Sequence, residues 1–153
     1  MPDPILSQDA AIVLALADTA VPFACSIEDE AERWVRVLRL HGQVGRALQA
    51  LGVGEAPLET AAQPQAVRLL RRRAHGENVV EIVADRAREL ARFRGAEVIA
   101  TIDVLFAALD VYDRAFDRAL YIRGTTREEL MERLAAQADP SPQDVPAPRR
   151  YFS

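Results

Sequence analysis

The chain has 153 residues, the length of one domain, and a chain of this size buries roughly 68–70% of its unfolded surface on folding without crosslinks. Half of the residues are apolar but only 6% are aromatic, and Ala, Leu, Val and Arg dominate, which favours helices over a β-sandwich. All 19 basic residues are arginine, which excludes a Schiff-base lysine and the lysine of a phosphate-binding P-loop, while a net charge of −4 argues against a general nucleic-acid binder.

Cys25 has no second cysteine to pair with, and His41 and His75 are the only imidazoles. Neither a metal nor another cofactor is expected, and a reducing cytoplasm is the expected location. The run "AAIVLALADTAVPFAC" is too short to span a bilayer, is interrupted by Asp18 and Pro22, and lacks the basic flank of a signal peptide, so neither a membrane span nor targeting is expected.

In chain order, Ile12, Val13, Leu16, Ala17 and Ala20 recur at helical spacing, with Ser7 or Asp9 as cap and Pro22 as stop. A turn around "CSIED" leads to "EAERWVRVLRL", a helix with Trp34, Val35, Val37 and Leu38 inward and Arg33, Arg36 and Arg39 toward water. "QVGRALQAL" predicts a third helix closed by Gly52, and "PQAVRLLRRRA" a fourth that begins near Pro64. "NVVEIVADRARELARF" follows from an Asn78 cap, with Val80, Val83, Ala84, Ala87, Leu90 and Ala91 as its buried stripe. Thr101 is the expected cap of "TIDVLFAALDVY", and a break near Val111 precedes "RAFDRALYI", which ends at Gly124. The last helix, "TREELMERLAAQ", starts at Thr125 or Thr126 with a glutamate three residues on, the spacing of a capping box. Residues 139–153 carry prolines at 140, 142, 146 and 148 and read as a disordered tail.

The chain also repeats itself. Ile27 and Ile99 stand 72 residues apart, and the same offset pairs Arg46 with Arg118, Ala47 with Ala119, Leu48 with Leu120, Gly52 with Gly124 and Leu58 with Leu130. On that offset Trp34 falls on Phe106, whereas the first helices align better at 71. The expected architecture is all-α, with about eight helices in two pseudo-twofold four-helix units, residues 6–62 and 77–138, within one domain spanning 1–138. Two copies burying their apolar faces against each other leave a seam that suits a ligand.

A helix rich in Ala and Leu, then Gly, a turn ending in Ile, an apolar helix and finally "RAL..lG" followed by Leu resembles the Clp N-terminal repeat domain, the module of bacterial Clp unfoldases that receives substrates and adaptors. "ARFRGAEVIATIDVLFAAL" and "RALYIRGTTREEL" carry the resemblance in the second half and "GRALQALGVGEAPL" in the first. It covers about Leu6 to Gln137. The resemblance implies a non-catalytic module that binds protein segments, degrons or adaptors, here without the ATPase modules that usually follow. In some members the glutamate of a "TEH" triplet at each helix start holds a phosphorylated arginine. The corresponding triplets here are Asp29-Glu30-Ala31 and Thr101-Ile102-Asp103, so the binding residues implied are Glu30, with Glu32 favoured by helical phase, and Thr101 with Asp103.

Other features have plainer readings. Carboxylates at helix starts also complement the helix dipole, Trp34 and Phe106 suit a core, and Cys25 suits a small residue near a turn. Arg68, Arg71, Arg72 and Arg73 form a solvated basic face or a docking patch for an acidic partner, and Asp110, Asp113 and Asp117 are placed to pair with Arg114 and Arg118. The terminal "RRYF" reads as a solvated end or a short linear motif. "IATIDVLFAAL" also resembles part of a histone fold, which implies DNA binding as the alternative, although the acidic charge and the duplication oppose it. No nucleophile, paired-carboxylate or glycine-rich phosphate-loop arrangement suggests an enzyme.

Overall fold

The computed structural model describes residues 3–54 and 78–137. The expected fourth helix, the arginine cluster at 68 and 71–73, Leu58 and the proline-rich tail lie outside the described residues.

Seven α-helices and one small ladder make up the described chain. A two-residue strand, β1 (Ile5–Leu6), precedes α1 (Gln8–Ala20) and pairs in parallel with β2 (Val98–Ile99), Ile5 opposite Val98 and Leu6 opposite Ile99. The Ile5 N–H donates to the Glu97 carbonyl at 3.1 Å and the Ser7 N–H to the Ile99 carbonyl at 3.0 Å. Two residues are too few for an alternating pattern, so the sequence carries no sign of this ladder. Its effect is to tie the start of α1 to the start of a helix some 90 residues on.

Ser7 caps α1 as expected, its Oγ accepting the Ala10 N–H at 3.0 Å. A single 3₁₀ turn, Val21–Phe23, absorbs Pro22 and leads to α2 (Ile27–Leu38), capped by Ser26. Trp34, Val35, Val37 and Leu38 are buried on one face of α2, as the apolar spacing requires. Next, α3 (Gly42–Ala50) runs back so close to α2 that a methyl group at Gly45 would lie 2.8 Å from the Arg39 carbonyl oxygen. Only glycine fits there.

The remaining helices are α4 (Val79–Phe93), α5 (Thr101–Tyr112), α6 (Arg114–Ile122) and α7 (Arg127–Ala136). Asn78 caps α4, accepting from Val80 and Glu81, and Thr126 caps α7 by accepting the Glu129 N–H at 3.1 Å. The reciprocal half of the expected capping box is altered: the Glu129 carboxylate accepts from the Thr125 hydroxyl, not from a backbone amide. A single residue, Asp113, separates α5 from α6, and its backbone sits at φ 48° and ψ −114°, the only positive φ of a non-glycine residue among those described.

Matching features recur along the chain. Both α2 and α5 have 12 residues, and both α3 and α6 have nine. Each nine-residue helix ends at a glycine in the left-handed region, Gly52 at φ 86° and Gly124 at φ 94°. The residue after each glycine donates back across the last turn, Val53 to Leu48 and Thr125 to Leu120, both at 3.0 Å. This closure needs positive φ, which glycine adopts without a Cβ penalty.

The elements also correct the register. The 72-residue offset holds from α3 to α6, but α2 and α5 start 74 residues apart, because residues 39–41 join α2 to α3 whereas Asp113 alone joins α5 to α6. Trp34 therefore matches Ala108, not Phe106. That shift explains their different environments, Trp34 fully buried and Phe106 only partly.

One continuous core contains Trp34, Phe116, Leu38, Leu48, Leu105, Leu120 and Leu130. The most extensive packing is of α4 on α5 and of α2 on α6, so α2 is built into the second half of the chain as well as the first. No helix among the described residues is long and apolar enough to cross a membrane.

Candidate functional site

The four carboxylate and hydroxyl residues that the resemblance singles out are all buried: Glu30 is 2% exposed, Glu32 9%, Asp103 1% and Thr101 fully enclosed. Each is engaged within the protein. The Trp34 indole Nε1–H donates to the Tyr112 hydroxyl oxygen at 3.1 Å, and that hydroxyl donates to Glu30 Oε1 at 2.7 Å. This chain of bonds joins two residues of α2 to the last residue of α5 and satisfies polar atoms that are expensive to bury alone. Two residues on, Glu32 Oε1 accepts from Nε and Nη2 of Arg123, at 3.1 and 2.8 Å. Arg123 follows α6, and its Nη1 also donates to the Gly54 carbonyl at 3.2 Å, so one guanidinium joins α2, the end of α6 and the loop after α3.

Asp103 works locally. Its Oδ2 accepts the Ala100 N–H at 2.9 Å, and the carboxylate receives Nε and Nη2 of Arg94 in a fork, at 2.9 and 2.5 Å. Ala100, not Thr101, is the N-cap residue of α5; having no capping side chain, it leaves Asp103, the third residue of the helix, to hold the helix start. Hydrogen bonding from Asp103 raises the Arg94 guanidinium above its already high ordinary range, against the opposing effect of burial.

Asp29 repeats the arrangement at the start of α2. It accepts the Cys25 N–H at 2.9 Å and pairs with Arg33, whose Nε lies 3.1 Å from Oδ1. "SIED" and "ATID" are thus the equivalent stretches, with Asp29 matching Asp103 at the offset of 74. Aligning Ile27 with Ile99 concealed this pair. Tyr112, Arg123 and Arg94 carry no motif of their own, and only the fold brings them to their carboxylates.

The acidic residues of α5 and α6 pair differently from the sequence expectation. Asp110 binds Arg86 of α4 at 2.8 Å, and Asp117 binds Arg127 of α7 at 2.8 Å, with Asp113 3.6 Å from the same guanidinium. Partners on neighbouring helices replace Arg114 and Arg118, which are exposed.

Two kinds of surface remain for a partner. Large apolar side chains stand in solvent at helix ends: Phe93 is 91% exposed, Tyr121 74%, Phe23 72% and Ile122 65%. Between α1 and α2 lies a cleft of about 320 Å³, lined by Leu16, Thr19, Ala20, Arg33, Arg36, Val37 and Leu40. Comparison with known protein families, with curated proteins and with solved structures finds no match.

Proposed function

We propose that this chain is a non-catalytic protein-interaction module of the Clp N-terminal repeat type, built as two pseudo-twofold four-helix units and acting in bacterial protein quality control. The observation that carries the reading is the recurrence of one helical unit: helices of 12 and nine residues, an aspartate holding each 12-residue helix start, and a left-handed glycine closing each nine-residue helix. The exposed aromatic and aliphatic side chains at helix ends support a protein partner, because such anchors dominate protein interfaces.

In this reading Glu30, Glu32, Thr101 and Asp103 are positioning residues. They fix α2 and α5 from within, and the partner, a protein segment, degron or adaptor of the Clp system, meets the side chains that these helices carry outward. Phosphoarginine recognition through the buried Glu30 has little support, since its carboxylate already accepts from Tyr112.

Affinity capture from a bacterial lysate tests the role. The wild-type chain is expected to enrich Clp unfoldase or protease subunits or their adaptors, and Phe93→Asp/Tyr121→Asp to lose them while remaining folded. Enrichment of nucleoid proteins and DNA in their place would overturn the proposal in favour of a DNA-binding helical fold.

A further inference from the structure

The cleft between α1 and α2 combines an apolar floor with an uncommitted charge. Leu16 and Ala20 of α1, Val37 of α2 and Leu40 just beyond it supply the apolar surface, and Leu40 is 42% exposed. Two arginines border it, and they differ. Arg33 is committed within the protein: Nε and Nη2 bind Asp29, and Nη1 donates to the Ala20 carbonyl at 3.1 Å. Arg36, one turn further along α2 and half-buried, has no hydrogen bond or ion pair among the described residues. A guanidinium offers five donors in a planar fork that matches a carboxylate two bonds at a time.

The balance of charge selects the ligand. Asp29 neutralises Arg33, so the cleft presents one net positive charge, which suits a carboxylate better than a doubly charged phosphate. Its volume, about 320 Å³, lies at the small end of ligand-binding cavities and admits one or two side chains, not a cofactor. An apolar floor beside a single fork-shaped cation is complementary to an aliphatic side chain next to an acidic one.

We propose that this cleft binds an extended acidic and apolar peptide segment of a partner protein, with a carboxylate on the Arg36 guanidinium and the adjacent aliphatic side chain against Leu16, Val37 and Leu40. The assignment rests on the reading that the chain binds protein segments, and it specifies their chemistry. Binding through one ion pair at a partly solvated rim weakens as salt is raised.

The test is a nuclear magnetic resonance titration of the full chain with a blocked six-residue peptide containing two leucines and two glutamates, and with its twin carrying lysines in place of the glutamates. The acidic peptide is expected to shift the resonances of Leu16, Ala20, Val37, Leu40 and the Arg36 side chain, with the lysine twin at least tenfold weaker. Arg36→Ala is expected to weaken the acidic peptide about tenfold, Arg36→Lys by less, and Leu40→Asp to abolish binding, each variant retaining the wild-type Trp34 emission. Equal binding of the two peptides, an unchanged affinity in Arg36→Ala, shifts confined to other surfaces, or no shift at millimolar peptide would overturn the assignment. Capture of Clp components by both the wild type and Arg36→Ala would overturn the cleft alone and leave the proposed role intact; loss of Clp capture with acidic-peptide binding retained would do the reverse.

Discussion

Tyr112 donates its hydroxyl proton to Glu30 and accepts one from Trp34, so one oxygen satisfies two buried partners. Tyr112→Phe keeps the ring in place, leaves the buried Trp34 indole N–H without its acceptor and takes one hydrogen bond from Glu30, and an unsatisfied buried group costs about 1–3 kcal/mol. The expected result is a lower urea midpoint with an unchanged slope and a displaced indole N–H resonance. Because Trp34 is the only tryptophan, that resonance and its fluorescence report on this site alone. The Glu32 and Arg123 pair gives a second expectation. Removing one partner of a largely buried ion pair destabilises by about 3–5 kcal/mol, whereas replacing both by apolar residues is much milder. Glu32→Ala is therefore expected to be more destabilising than Glu32→Leu/Arg123→Met in parallel denaturation curves. At this scale the sequence made the carboxylates visible, since acids at helix starts stand out in an apolar pattern. Their partners were not legible: Tyr112 lies 82 residues from Glu30 and Arg123 lies 91 from Glu32, and only tertiary packing creates those distances.

At the scale of the element, the helices ending at Gly52 and Gly124 were readable because a left-handed terminus has a residue preference. The junction of α5 and α6 was readable only as a break. Asp113 occupies a conformation, φ 48° and ψ −114°, that a side chain disfavours by about 1–3 kcal/mol, and aspartate gives no warning of it. Asp113→Gly relieves that strain at an entropic cost of roughly 0.5–1 kcal/mol. Its side chain is 77% exposed and pairs only distantly with Arg127, so little else is lost. The variant is expected to be more stable than the wild type by about 1 kcal/mol, visible as a melting temperature raised by a few degrees. The register of α2 against α5 was misread for a related reason. The apolar repeat fixes helical phase, but nothing in it counts the residues of the connections, which are residues 39–41 after α2 and Asp113 alone after α5.

Across the whole molecule, the polar interior and the exposed apolar surface have separate tasks. Buried acids pin α2 to α5 and α6, and the exposed side chains at helix ends contribute little to that scaffold. Phe93→Ser and Tyr121→Ser are accordingly expected to change stability by less than about 0.5 kcal/mol, as for other surface substitutions, while weakening partner capture. Denaturation and capture measured on the same variants check both halves of the statement. The predominantly helical class followed from composition and periodicity. The exposed apolar surface did not, because exposure of Phe93 or Tyr121 is decided by which faces the packed helices leave uncovered. The central claim, a Clp-type interaction module, is tested most directly by titrating the purified chain with purified Clp unfoldase and with duplex DNA, following both by sedimentation at low and physiological salt. Saturable binding to the unfoldase that persists at physiological salt, with none to DNA, is the predicted result; salt-sensitive DNA binding with no unfoldase binding would contradict it.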